Sequence, residues 1–210
     1  MKFRIKKDKM LKHQRQFWDM PNRIVLLVGG YGSGKTYIGA LKSLYMSYLN
    51  NPIPGMYVSP SHQLATKTII ITLKELCNRA GIDYTYNQQR SEFIFHNWNG
   101  KLWLGSGDKP DSLRGPNIGW AVIDEPFIQK REVFEQMIAR VRHPEAKKSQ
   151  IFLTGTPEQL NWGFNLANDT NLDIGIIQAS TLDNPHLPDD YKQSLLQAYS
   201  EEQIEAYVYG

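Results

Sequence analysis

The stretch Ile24-Val25-Leu26-Leu27-Val28-Gly29-Gly30-Tyr31-Gly32-Ser33-Gly34-Lys35-Thr36 constrains this chain more than any other. Five apolar residues run without a break, which suits a strand covered on both faces, as in a parallel sheet. A glycine-rich turn follows at once, and Gly29 to Thr36 match the spacing G-x-x-x-x-G-K-[ST] of a phosphate-binding loop. The chemistry explains the spacing. Gly29, Gly30, Gly32 and Gly34, with Tyr31 and Ser33 between them, let backbone N–H groups converge on phosphate oxygens. Lys35 reaches the β- and γ-phosphates, the Thr36 hydroxyl ligates Mg²⁺, and the following helix directs its positive end at the anion. With glycine at about 7% of residues, the pattern arises by chance in roughly one chain in a hundred of this length. The context it demands is also present, since Ile38, Leu41, Tyr45 and Leu49 mark one face of an amphipathic helix after it. A chain with these features binds a nucleoside triphosphate.

At 210 residues the chain suits one domain with a core of its own. The net charge of +3 argues neither for nor against nucleic acid. Charge is concentrated at the front, where Lys2, Arg4, Lys6, Lys7, Lys9 and Lys12 face only Asp8. Such a run is a solvated tail, or a contact to DNA phosphates or a neighbouring subunit. The single cysteine, Cys77, excludes an internal disulfide and falls in a helical pattern as a small apolar residue. No apolar run approaches membrane-spanning length, and the charged N-terminus lacks an apolar signal region. A reducing cytoplasm fits.

Leu11 to Trp18 reads as a short helix that ends near Asp19-Met20-Pro21. In many P-loop motors such a segment folds back over the base of the nucleotide. The Gln14 amide can then pair with the adenine edge and the Phe17 ring can stack on its face; otherwise they are a surface polar residue and a core anchor. Met56-Tyr57-Val58 is a second strand, and Ser61 can cap the next helix, in which Ile69, Leu73, Leu76 and Ala80 recur before Gly81 stops it. Glu92 to His96 and Lys101 to Gly105 flank Asn97-Trp98-Asn99-Gly100, a strong hairpin signal whose aromatics pack it onto the sheet. Further strands are Trp120 to Ile123, Ile151 to Leu153 and Ile174 to Ile177. A helix over Val133 to Val141 follows the first of these, and the end is helical, with Ser200 to Gln203 in the form of a capping box. This alternation predicts a doubly wound α/β fold of the RecA-like (ASCE) P-loop NTPase type. Its sheet is mostly parallel, with an antiparallel hairpin insertion and the ligand at the strands' carboxyl ends.

Three constellations downstream supply the rest of the chemistry. The strand Ala121-Val122-Ile123 delivers Asp124 and Glu125 where the phosphates lie. Asp124 would hold Mg²⁺ through water, and Glu125 would orient and deprotonate the water that attacks the γ-phosphate. That glutamate favours a hydrolytic motor over a slow switch, and no guanine-reading Asn-Lys-x-Asp appears. In Thr154-Gly155-Thr156-Pro157 the Thr154 hydroxyl can sense the γ-phosphate, and Gly155 with Pro157 makes a stiff turn to pass the signal on. A cation for the transition state, worth about 10³ to 10⁵ in rate, can come from Arg114, Arg140 or Arg142.

Taken together these residues resemble the large terminase subunit, the ATPase that packages DNA into tailed-phage and related viral capsids. The resemblance covers essentially the whole chain. It rests on Gln14-x-x-Phe17, Gly29 to Thr36, Leu113-Arg114-Gly115-Pro116-Asn117 leading into Val122-Ile123-Asp124-Glu125, Thr154 to Pro157, and the tail from Ser180-Thr181-Leu182-Asp183-Asn184-Pro185 to Tyr207-Val208-Tyr209-Gly210. It implies one ATPase domain over 1–210, with a basic adenine-side segment at 1–20 and a helical lid or linker at 180–210. It implies ATP and Mg²⁺ as cofactors, with Gln14 and Phe17 at the adenine. Arg114 matches the arginine that part of the family inserts into a neighbour's active site, which lifts it above Arg140 and Arg142. The implied partners are double-stranded DNA, a homo-oligomeric ring typically of five, the portal protein and the small terminase subunit. The implied place is the host cytoplasm, without a membrane. Two departures stand out. Tyr31 replaces an arginine that many members carry in the loop, which weakens the expectation of a finger from the same subunit and leaves its action within or between subunits open. The family's nuclease domain is absent from these 210 residues, so no DNA cleavage is expected. A helicase-like or other nucleic-acid-remodelling P-loop ATPase is the alternative, although a two-domain helicase needs a second core. A nucleotide-gated structural protein is a third reading, and Glu125 argues against it.

Overall fold

The first strand, β1 (Ile24–Gly29), is unbroken in its apolar character because both its faces are covered. Val25 and Leu27 enter one hydrophobic cluster and Ile24 and Leu26 the other. The computed structural model describes residues 3–115, 117–157, 162–169 and 171–210, so Lys2 of the basic run and Pro116 of the arginine loop lie outside the described residues. The helix α1 (Lys12–Asp19) precedes β1, and α2 (Lys35–Leu49) follows the glycine-rich turn. Next come β2 (Gly55–Ser59), α3 (His62–Lys67), α4 (Ile69–Ala80), and the run β3 (Tyr84–Asn87), β4 (Glu92–Phe95) and β5 (Gly100–Ser106). A 3₁₀ turn at Pro110–Leu113 leads to β6 (Trp120–Asp124), α5 (Arg131–Arg140), β7 (Ile151–Gly155), α6 (Trp162–Ala167) and β8 (Ile174–Ala179). The chain ends in α7 (Asp189–Ala198), α8 (Glu201–Ile204) and a π turn at Glu205–Tyr209.

The eight strands among the described residues form one sheet in the order β3-β4-β5-β2-β6-β7-β1-β8. The six strands from β5 to β8 in that order run parallel, and β3 and β4 add an antiparallel edge. One strand, β7, therefore sits between the glycine-loop strand β1 and the acid-bearing strand β6. The sheet is doubly wound. Helices α1, α2 and α4 cover one face with Phe17, Ile38, Leu44, Leu73 and Cys77. Helix α5 covers the other with Val133, Phe134 and Met137, joined by Leu113 and Leu166. Cys77 is fully buried, and burial pushes its thiol up to about 12.

Two local features differ from the sequence reading. The helical pattern after Ser61 is divided. Ser61 caps α3 by accepting from the Leu64 amide at 3.1 Å, but the helix breaks at Thr68 before α4 begins. Thr68 and Thr72 each donate a hydroxyl to the carbonyl four residues earlier, a competition with the backbone that weakens helix continuity. The strand β3 has no counterpart in the sequence reading, because four residues at a sheet edge carry little periodic signal. The hairpin turn is as expected, with Asn99 left-handed at φ 56°. Trp98 is buried against Phe95 and donates its indole N–H to Ser47.

Candidate nucleotide-binding site

β1 delivers the glycine loop to the carboxyl edge of the sheet, and α2 leaves it with no side-chain cap on its first amides. Gly34, at φ 85°, makes the left-handed turn into that helix. The uncapped amides therefore face the loop cavity, the arrangement that binds anions. This cavity, about 280 Å³, is lined by Tyr31, Gly32, Gly34, Lys35, Thr36, Tyr37 and Glu125. Ser33 is fully buried and donates its hydroxyl to the Gly30 carbonyl at 2.8 Å. The Lys35 ammonium donates to the carbonyls of Gly29 and Gly30, both at 2.9 Å. Burial lowers its pKa, while the charges of Glu125 and Asp124 act in the opposite direction.

Those two acids stand at the end of β6. Asp124 is 3% exposed and accepts the Thr154 hydroxyl at 2.9 Å, from its partner residue on β7. The Tyr57 phenol lies beside the same carboxylate, outside hydrogen-bonding geometry. Burial raises the Asp124 pKa, and the Thr154 donor is the first of the contacts that oppose it. Glu125 has a left-handed backbone at φ 47°, a conformation that non-glycine residues hold at a cost of about 1–3 kcal/mol. Its amide donates to the Thr154 carbonyl at 2.7 Å, and its carboxylate accepts the Thr156 amide at 2.9 Å. The segment Thr154 to Pro157 thus bonds to both acids. A buried carboxylate and the hydroxyl of Thr36 are hard oxygen donors suited to Mg²⁺. Among the described residues no cluster of three or more metal-ligating side chains exists, so phosphate and water would complete such an ion's shell.

Beyond Gly34 and Tyr37 the loop cavity adjoins a second one, about 330 Å³, lined by Lys9, Leu11, Gln14, Gly34, Tyr37, Arg79, Asn184 and His186. Gln14 belongs to it, although its amide is already engaged: Oε1 accepts the Leu11 amide at 3.1 Å and Nε2 donates to Gly34 at 3.3 Å. Of the two places the sequence left open for Phe17, the structure shows the core anchor and not the ring at the adenine. Its ring is fully buried, 5.5 Å from that of Phe152, and offers no face to a base; three residues after Gln14, it lies on the core side of α1. Sequence reasoning missed His13, whose Nε2 bonds the Ser33 carbonyl at 2.8 Å and whose pKa burial lowers. It also missed Arg79 and His186, which come from segments remote in sequence and carry no local motif, and it placed Asn184 in the C-terminal tail without assigning it to this cavity.

The C-terminal segment returns to the glycine loop. Tyr31 donates its amide to Tyr207 at 2.8 Å, and the two rings lie 5.2 Å apart. Thr181 and Asn184 donate side-chain hydrogens to the carbonyls of Tyr31 and Gly32. Of the arginines, Arg114 is exposed, pairs with Asp111 at 2.9 Å and is not among the residues lining the loop cavity. Arg140 ends α5 and Arg142 follows it at the amino edge of β6, where Val141 bridges Ile118 and Arg142 bonds Asn117. They lie at the opposite edge from Lys35.

A doubly wound sheet, a glycine loop between β1 and α2, and paired acids on a strand one place removed define a P-loop nucleotide-binding domain. Within that class the chain belongs to the large-terminase family, since residues 26–210 match the family described as terminase large subunit, T4likevirus-type, N-terminal. It is 29% identical over 141 residues to the PBSX phage terminase large subunit of Bacillus subtilis strain 168, a match covering 66% of this chain and 32% of that protein. The fold is similar to that of a large terminase from a thermophilic bacteriophage, with a TM-score of 0.83 at 14% identity over 95% of this chain and 53% of that one. The Thermus phage P74-26 large terminase ATPase domain gives a TM-score of 0.73 at 14% identity, covering 95% of this chain and 92% of that one. The first of these two phage proteins has also been solved with ADP and with ATP-gamma-S. The chain thus spans about a third of the PBSX protein and about half of the thermophilic-phage terminase.

Proposed function

We propose that this chain is the ATP-hydrolysing domain of a DNA-packaging motor, converting ATP turnover into movement of double-stranded DNA into a procapsid. The observation that carries the proposal is the convergence of Lys35, Asp124, Glu125 and Thr154 at one edge of the sheet, beside a cavity floored by uncapped helix amides. ATP would place its phosphates in the Gly29–Thr36 loop, and Lys35 would exchange its carbonyl acceptors for phosphate oxygens. Its base would lie toward Gln14, Arg79 and His186. Asp124 and Thr36 would hold Mg²⁺, which would supply charge neutralisation at the phosphates. Glu125, steadied by the Thr156 amide, takes the proton of the attacking water. Thr154, already bonded to Asp124, carries the state of the site into the turn that follows.

Membership of the family supports a packaging context, in which the proposed partners are a ring of these subunits on a portal, a small terminase subunit, and DNA gripped through its phosphates without sequence readout. The thermophilic-phage terminase, solved with ATP-gamma-S, and the P74-26 ATPase domain support the ATPase reading by what their names state. Glu125→Gln tests it. The variant should keep nucleotide binding and lose about 10²- to 10⁴-fold in turnover; undiminished hydrolysis removes Glu125 from the mechanism.

A further inference from the structure

We infer that Gln129 is a positioning residue, joining the catalytic acid pair to the loop that carries Arg114. The inference rests on the ATPase reading above. Gln129 closes the 3₁₀ turn Pro126–Ile128 just after Glu125 and is 8% exposed. Its Nε2 donates to the main-chain carbonyl of Asp124 at 2.6 Å. That carbonyl belongs to the peptide linking Asp124 to Glu125, so the amide fixes the orientation of the two acids relative to one another. The left-handed Glu125 turns the chain away from the sheet at this point, and the side chain of Gln129 supplies a donor there. Because the neighbour is a carbonyl, the nitrogen must face it, which also fixes where Oε1 points.

Oε1 is buried and has no hydrogen-bond partner among the described residues. Leaving a buried acceptor unpaired is destabilising, a cost a methionine of similar length would not carry. Oε1 faces Gly107: a Cβ added there would lie 1.9 Å from it and 2.8 Å from the amide carbon. Gly107 is not among the residues at positive φ, so the contact with Gln129, not the backbone, demands a glycine there. Its amide is tied to the Ser59 carbonyl at 2.8 Å, at the end of β2. From Gly107 the chain runs directly through Pro110–Leu113 to Arg114. On its third side the Gln129 carbonyl accepts the indole N–H of Trp162 at 2.9 Å, at the start of α6. One side chain and its carbonyl thus touch the acids, the arginine loop and the helix beyond Thr154 to Pro157. A shift of the loop at Gly107 presses on the Gln129 amide, and through it on the Asp124–Glu125 peptide.

The test uses two variants of the whole chain that reach this contact from opposite sides. Gln129→Met removes donor and acceptor at similar length, and Gly107→Ala displaces the amide without altering it. Both should bind a fluorescent ATP analogue and show KM for ATP within about twofold of the parent, with kcat lowered about 10- to 100-fold, the range for misplaced catalytic groups. Amide hydrogen exchange over residues 107–115, with and without the analogue, gives a readout that needs no turnover. The parent should show a nucleotide-dependent difference there that both variants lose. Unchanged kcat in either variant, a rise in KM in place of a fall in kcat, or no nucleotide-dependent difference in the parent overturns the inference. A parent that fails to bind nucleotide overturns the ATPase reading instead.

Discussion

Lys42 shows how far the fold can move a single residue from its habits. It is 1% exposed, donates to the Trp18 carbonyl, and lies over the rings of Trp18 and Phe152. Burial, with Lys148 as the next cause, brings its pKa down to about 7 against an ordinary value of 10.5. The unfolded chain therefore holds a proton between those values that the folded chain has released. Stability should rise as pH rises from about 7 toward 10.5, with a slope of at most about 1.4 kcal/mol per pH unit from this group. Denaturant unfolding of the parent and of Lys42→Met across that window checks it, and the variant should show the flatter profile. Lys35 is buried as well, but its ammonium sits near two acids and beside a cavity, where on the proposed function an incoming phosphate would replace its carbonyl acceptors. The difference between a structural and a functional buried lysine lies in what faces it.

At the scale of elements, the C-terminal turn Glu205–Tyr209 and the glycine loop fit against each other with no slack. A methyl on Gly30 would meet the Thr181 hydroxyl at 2.3 Å and the carbonyls of Val208 and Tyr207 at 2.4 and 2.7 Å. Two of the three obstacles are backbone atoms that cannot swing away. Gly30→Ala should therefore separate the 180–210 segment from the loop. Faster proteolytic cleavage within 180–210 and weaker nucleotide binding are expected, the second because Thr181 and Asn184 hold the loop carbonyls. Cleavage kinetics and nucleotide titration measure the two effects, and a variant unaltered in both would show that the contact is incidental. Helix α1 braces the loop from the other side: His13 holds the Ser33 carbonyl, and Phe17 anchors the helix in the core. The loop is thus held by elements more than a hundred residues apart in the chain.

For the whole molecule, the exposed Arg114 lies outside the cavity lined by its own Lys35 and Glu125, as a cation that serves a neighbouring subunit would. Mixing Arg114→Ala with Glu125→Gln under assembling conditions should recover part of the ATP turnover each lacks alone, measured across mixing ratios; no recovery at any ratio counts against action between subunits. The parts of this site that were legible in the sequence are contiguous ones. An apolar run ending in Gly29 to Thr36, a strand ending in Asp124-Glu125, and Thr154 to Pro157 each carry their chemistry within a few residues, and the alternation of strands and helices fixes the fold class. What only the tertiary structure decided are the meetings between distant segments. The insertion of β7 between β1 and β6, the burial of Phe17, the return of Thr181 and Asn184 to the loop, and the contact of Gln129 with Gly107 all depend on sheet order and close packing. Local patterning dictates which face of an element is apolar, whereas the neighbour on that face is chosen by the packing of the whole chain.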